Sequence, residues 1–113
     1  MVPGDTHRRL SRLYHRHNAM ARITLTPAQV QRILHALADP NRYDILLRVY
    51  ASDKALTCGG AKGELPISDA TCSHHLKQLQ EAELIEVERV GRHGLLTPRR
   101  DVWKAFVRGL KEL

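Results

Sequence analysis

At 113 residues the chain makes one domain with a tail to spare, and so small a core leaves little surplus stability. No apolar run approaches the roughly 18–20 residues of a membrane span, the N-terminus lacks a signal peptide's apolar stretch, and two cysteines make no disulfide framework, so a cytoplasmic protein is expected. The net charge of +6 points toward nucleic acid, yet residues 1–24 hold five arginines against Asp5 alone, whereas within 65–96 Lys77, Arg89 and Arg92 are outnumbered by Asp69, Glu81, Glu83, Glu86 and Glu88.

Residues 1–24 read as a basic N-terminal tail or a short helix through Leu10, Leu13, Tyr14 and His17, and Met20 is an alternative start. His15-x-His17 offers at most an adventitious metal site. Residues 25–113 carry the folded unit. Thr26-Pro27-Ala28-Gln29 opens a first helix: Thr26 caps, Pro27 suits the first position, Gln29 completes a capping box, and Val30, Ile33, Leu34 and Leu37 form the apolar face. Asp39-Pro40 stops that helix and caps a second, which carries Tyr43, Ile45, Leu46, Leu47, Val49 and Tyr50. Apolar nearly all round, this second helix is expected at the centre of the core. Residues 57–64 should form a third, short helix. Gly59, Gly60 and Gly63 each cost it about 1 kcal/mol relative to Ala, so packing must hold it.

Leu65-Pro66-Ile67 is a turn, Ser68 caps a fourth helix, and Asp69 complements its dipole. Cys72, Leu76, Leu79 and Ala82 make the buried stripe, with Ser73, His74, Lys77, Gln78 and Glu81 away from it. Ile85 and Val87 then alternate with Glu86 and Glu88 as in a half-buried strand. Gly91-Arg92-His93-Gly94 is a turn, Leu95-Leu96 a return strand, and Thr97-Pro98 the start of a last helix with Val102, Trp103, Phe106, Val107 and Leu110 apolar. The order α-α-α-α-β-β-α describes a mainly α fold with a two-stranded β-wing, a winged helix-turn-helix.

A helix of about 14 residues is ~21 Å long and its polar face fits the DNA major groove. The DNA-binding candidates are therefore Ser68, Thr71, Ser73, His74, Lys77 and Gln78 on the helix, with Arg89, Arg92 and His93 on the hairpin. The alternative is a winged-helix module that binds protein without specific DNA binding, which the acidic Glu86 and Glu88 keep open. An enzyme is disfavoured: adjacent His74 and His75 point about 100° apart on a helix, and no partnered nucleophile or carboxylate pair accompanies them.

Three stretches carry a family resemblance: Leu37-Ala38-Asp39-Pro40-Asn41-Arg42 with Ile45-Leu46, then Ala70-Thr71-Cys72-Ser73-His74-His75-Leu76-Lys77-Gln78-Leu79, and Glu81-Ala82-Glu83-Leu84-Ile85. Over roughly residues 26–112 the chain resembles the ArsR-type winged-helix transcriptional repressors. The resemblance implies a homodimer on palindromic operator DNA, with repression relieved by an effector. It also implies a dimer interface on the first and last helices, here Val30, Ile33, Leu34, Trp103, Phe106, Val107 and Leu110; the same residues would alternatively close a monomer core.

Two departures matter. Relatives often carry Gly where Glu83 stands, and a left-handed backbone there would cost Glu83 about 1 kcal/mol or more. Many relatives also bind metals, through a cysteine pair in the third helix or an acid-and-histidine set in the last. Here the third helix offers only Cys58 and residues 98–113 contain no His, so no metal or cofactor is expected. Cys58, near a helix start, and Cys72, on the buried stripe, are the candidate thiol switch; the alternatives are an inert small residue or an inducer contact for Cys58 and a plain core residue for Cys72, which leaves a small-molecule or a redox effector open.

Overall fold

The computed structural model describes residues 23–113. Its elements are α1 (Pro27–Leu37), α2 (Pro40–Ala51), β1 (Leu56–Thr57), α3 (Cys58–Lys62), α4 (Asp69–Glu81), β2 (Ile85–Val90), β3 (His93–Pro98) and α5 (Arg100–Lys111). The expectations placed on the N-terminal tail, the Met20 start and the His15-x-His17 pair lie outside these residues.

The first four helices begin where side-chain chemistry satisfies the orphan N–H groups of a helix start. Thr26 Oγ1 accepts from the Gln29 N–H and Gln29 Oε1 accepts from the Thr26 N–H, closing the capping box. Asp39 accepts from the Arg42 N–H at 3.0 Å, Thr57 from Gly60 at 3.1 Å, and Ser68 from Thr71 at 3.0 Å. α5 has no side-chain cap, and it starts later than Thr97-Pro98. A residue before proline prefers extended backbone, and here that preference prolongs β3 instead of opening a helix. Thr97 pairs with Glu86 and Pro98 with Ile85, and Thr97 is buried.

The expected two-stranded wing belongs to a three-stranded antiparallel sheet of order β1-β3-β2. Leu56 pairs with Leu96 and Thr57 with Leu95, so the sheet ties the start of α3 to the wing. The hairpin turn is also tighter than the expected four residues. Val90 and His93 close a two-residue loop in which only Gly91 has positive φ, 60°, as in a type II′ turn. Arg92 thus stands at the tip, while His93 and Gly94 are strand residues.

The core gathers Ile33 from α1, Ile45, Leu46 and Val49 from α2, Cys72, Leu76 and Leu79 from α4, Leu84 and Ile85, Leu96 from β3, and Val102 and Phe106 from α5. α2 is central but not apolar all round: Tyr43 and Leu47, four residues apart, stand 41% and 46% exposed. Its far end is held by Tyr50, whose hydroxyl lies 2.6 Å from the Leu84 carbonyl oxygen and 3.1 Å from that of Arg99. Burial pushes this phenol's pKa well up. α3 is shorter than expected, five residues, and its buried Ala61 packs it on the core. Gly63 ends it at φ 54°, where an added Cβ would lie 1.9 Å from Arg48 Nη1.

The exit of α4 is a Schellman motif. Leu84 N–H donates to Leu79 O at 3.0 Å and Glu83 N–H to Gln80 O at 2.9 Å, with Leu79 and Leu84 both fully buried. The position that needs the left-handed conformation is Glu83, φ 61°, as the sequence suggested.

Candidate nucleic-acid interface

α4 presents a divided surface. Cys72, His75, Leu76 and Leu79 face the core, while Thr71, Ser73, His74 and Lys77 are exposed. The 13-residue helix is about 20 Å long, enough to lie along a major groove. Ser68 is exposed too, but its hydroxyl is committed: it accepts the Thr71 N–H and donates to Thr71 Oγ1 at 2.9 Å. It therefore sets the helix start, leaving Thr71 to offer its own hydroxyl proton outward.

Gln78 leaves the outward set. It is half-buried, and its Oε1 accepts from Arg42 Nη1. The reason is a polar network beneath α4. Arg42, itself buried, donates through Nε to Ala36 O at 2.6 Å and through Nη2 to His35 O at 2.9 Å, binding two carbonyls in the last turn of α1. Its Nη1 also lies 3.4 Å from His75 Nδ1, and His75 Nε2 lies 3.8 Å from Asp39 Oδ1. The Arg42 N–H holds the Asp39 carboxyl below the usual carboxylate range, with His75 contributing. One side chain from α2 thereby fixes α4 to α1.

Sequence reasoning left Arg42 and His75 without roles. The signal for His75 was present, since residues 72, 75, 76 and 79 share one helical face. His74 and His75 do diverge: one is exposed, the other buried, with ring centroids 6.4 Å apart.

The wing completes the surface. Strand alternation puts Val87 and Arg89 on the face of β2 toward α4, and Glu86 and Glu88 on the opposite face. Between α4, the start of α3 and the wing lies a cleft of about 710 Å³. Leu76, Val87 and Leu96 line it together with Ser73, Lys77, Arg89, Arg92 and His93. Residue by residue, 65–96 is acidic in sum, but its charges are segregated. Asp69 is paired with Lys62 at 2.9 Å, Glu83 accepts from Gln29 at 3.4 Å, and the cations border the cleft.

Of the seven expected interface residues, Ile33 and Phe106 are buried in the protomer's own core and have almost no surface to offer a partner. α1 and α5 each carry two apolar stripes, and helical spacing alone does not say which one faces inward. Trp103 is half-buried, packing edge-on against Tyr50 at 6.0 Å and against Phe106 at 5.6 Å. Leu34 and Leu110 are 52% and 47% exposed, with Val30 and Val107 half-buried beside them. Val30, Leu34 and Leu110 border a groove of about 450 Å³, whose edge Arg108 fixes by donating to Ile23 O. Among the described residues, no three His, Cys, Asp or Glu side chains gather as metal ligands, and no helix is long and apolar enough to cross a membrane.

A family model described as a helix-turn-helix domain matches residues 37–88, from the end of α1 into β2. The chain is 32% identical over 81 residues to YceK, an uncharacterised HTH-type transcriptional regulator of Bacillus subtilis (strain 168), spanning 72% of this chain and 81% of that protein. Among solved structures it is similar to an ArsR-like transcriptional regulator from Rhodococcus sp. RHA1, with TM-score 0.64 and 25% identity over 75% of this chain and 78% of that one. It also matches the fold of Mb0332 from Mycobacterium bovis, a homodimeric winged helix-turn-helix DNA-binding domain, with TM-score 0.60 and 24% identity over 82% and 91%. With a helix-turn-helix followed by a wing, and with these likenesses to known regulators, the chain belongs to the ArsR-type family of winged helix-turn-helix transcriptional regulators.

Proposed function

We propose that this regulator is a repressor that binds a palindromic operator as a homodimer and is released by an effector. The observation that carries the proposal is the shared face: exposed Ser73 and Lys77 of α4 and Arg89, Arg92 and His93 of the wing border one cleft. Thr71, Ser73, His74 and Lys77 enter the major groove, where hydroxyl, imidazole and ammonium groups meet base edges and phosphates. Arg89, Arg92 and His93 take the neighbouring backbone or minor groove. Ser68 acts through its cap and Gln78 through Arg42, each positioning α4.

Dimerisation uses Leu34, Leu110, Val30 and Val107, with the rim of Trp103. Their exposure supports this assignment, as does the homodimeric state of the M. bovis domain with the same fold. The partner is double-stranded DNA, the setting cytoplasmic, and no catalytic role is assigned. The competing protein-binding module loses its main support, because Glu86 and Glu88 lie on the face away from the cleft.

Footprinting on DNA from the gene's own upstream region tests the proposal. Protected half-sites should be related by two-fold symmetry and lie about one helical turn apart, ~34 Å, or a multiple of it. Protection of a single unrepeated half-site, or none, would contradict the operator arrangement.

A further inference from the structure

We propose that Cys58 and Cys72 form a redox modification site: a hydroperoxide closes them into an intramolecular disulfide, and this weakens the hold of α4 on DNA. The inference rests on the operator-binding reading above. The chain's two cysteines are both free thiols, and their Sγ atoms lie 3.9 Å apart. Cys58 is the first residue of α3, partly exposed, and it lines the cleft with Ser73, Lys77 and Arg92. Cys72 lies behind it, fully buried, between the exposed Thr71 and Ser73 of α4. One thiol is therefore partly exposed, and the other lies buried 3.9 Å behind it.

The chemistry divides accordingly. Burial, and then the neighbouring Cys58, push the Cys72 thiol up to about 11, so it is the resolving partner. Cys58 as thiolate attacks the terminal peroxide oxygen; the O–O bond breaks, a sulfenic acid forms, and the departing hydroxide takes up the thiol proton as water. Cys72 sulfur then attacks Cys58 Sγ, the S–O bond breaks, the S–S bond forms, and a second water leaves with the Cys72 proton. Two thiols and one hydrogen peroxide give one disulfide and two waters.

The mechanical consequence follows from packing. Sulfurs in a disulfide sit about 2.05 Å apart, so closing the 3.9 Å gap brings the two sulfurs closer by about 2 Å. Cys72 belongs to a close-packed core, so its shift is shared by the first turn of α4. Cys58 follows directly on Thr57, which caps α3 and pairs with Leu95 of the sheet that carries the wing. Closure therefore works between the wing's sheet and α4, and it alters how Ser73 and Lys77 are placed against Arg89 and Arg92.

The full chain is treated with hydrogen peroxide and then dithiothreitol, with intact mass, peptide mapping and affinity for the upstream DNA fragment read at each stage. The oxidised protein should lose two hydrogens, yield a peptide joining Cys58 to Cys72, and bind DNA about tenfold or more weakly, within the range of typical couplings between sites. Dithiothreitol should restore the mass and the affinity, and Cys58→Ser should bind with the same affinity before and after peroxide. Because Cys72 is a core residue, Cys72→Ala serves as a second variant once circular dichroism shows it folded. A linked protein that binds as tightly as the reduced one overturns the proposal, as does Cys58→Ser losing DNA as readily as wild type. A missing cross-link in protein that binds DNA sinks the switch alone. Reduced protein that binds no DNA sinks the operator reading and the coupling with it.

Discussion

Glu83 holds a conformation that its own Cβ opposes. At φ 61° it occupies the left-handed position of the Schellman motif, normally a glycine's, in exchange for two backbone hydrogen bonds and one from Gln29 at 3.4 Å. Glu83→Gly should raise stability by about 1 kcal/mol, read as a higher urea midpoint at unchanged slope; a lower midpoint would show that the Gln29 contact outweighs the strain. Asp39 is the counterpart at a helix start. Its pKa is lowered, so its contribution is present above the ordinary carboxylate value and disappears as pH falls through the lower folded one. Asp39→Ala should cost about 1 kcal/mol at neutral pH. Asp39→Asn should keep most of the cap yet flatten the acid limb of the stability–pH curve, and an unchanged acid limb would rule Asp39 out as its source. Both residues were legible in the sequence, because capping depends on a few neighbouring positions. Gln78 was not: its partner Arg42 lies 36 positions away, and nothing local shows that a polar residue turns inward to meet it.

At the scale of elements, α4 is held from below by one arginine. Arg42 serves two carbonyls of α1 and one side-chain oxygen of α4, in a geometry that a lysine's single ammonium does not reproduce. Arg42→Lys should destabilise the fold by about 2 kcal/mol, since buried acceptors lose partners; calorimetry giving an unchanged Tm would remove the network from the stabilising set. The two reading elements should also separate. Ser73→Ala or His74→Ala should change the preferred sequence at a cost of about 1–3 kcal/mol for the correct site, whereas Arg92→Ala should weaken all sequences alike. Selection from a randomised operator library distinguishes these outcomes. The first four helices were legible because each begins with its own side-chain cap, which α5 lacks. β1 was not, since two residues carry no periodicity and Leu56-Thr57 becomes a strand only through its pairing with Leu95 and Leu96. The end of β3 was lost for a related reason: Thr97-Pro98 serves equally as helix start or strand end, and burial decided.

For the whole molecule, the sequence located two apolar helices but could not sort their stripes. Ile33 and Phe106 face the protomer's own core, while Leu34 and Leu110 remain for a second copy. Leu34→Glu with Leu110→Glu should yield a folded monomer by sedimentation and lower DNA affinity, because half the operator contacts are lost from each complex. A dimer surviving both changes would place the interface elsewhere. Charge misled in the same way: a sum over 65–96 hid the segregation that puts Lys77, Arg89 and Arg92 around the cleft and Glu86 and Glu88 behind it. That segregation is the central claim, and salt-dependent binding to the upstream DNA tests it most directly. The log of the affinity should fall linearly with the log of salt concentration, with a slope of roughly −0.9 for each phosphate neutralised, and Arg92→Ala should make that slope shallower by about 1. Weak binding to every duplex with no dependence on salt would contradict it.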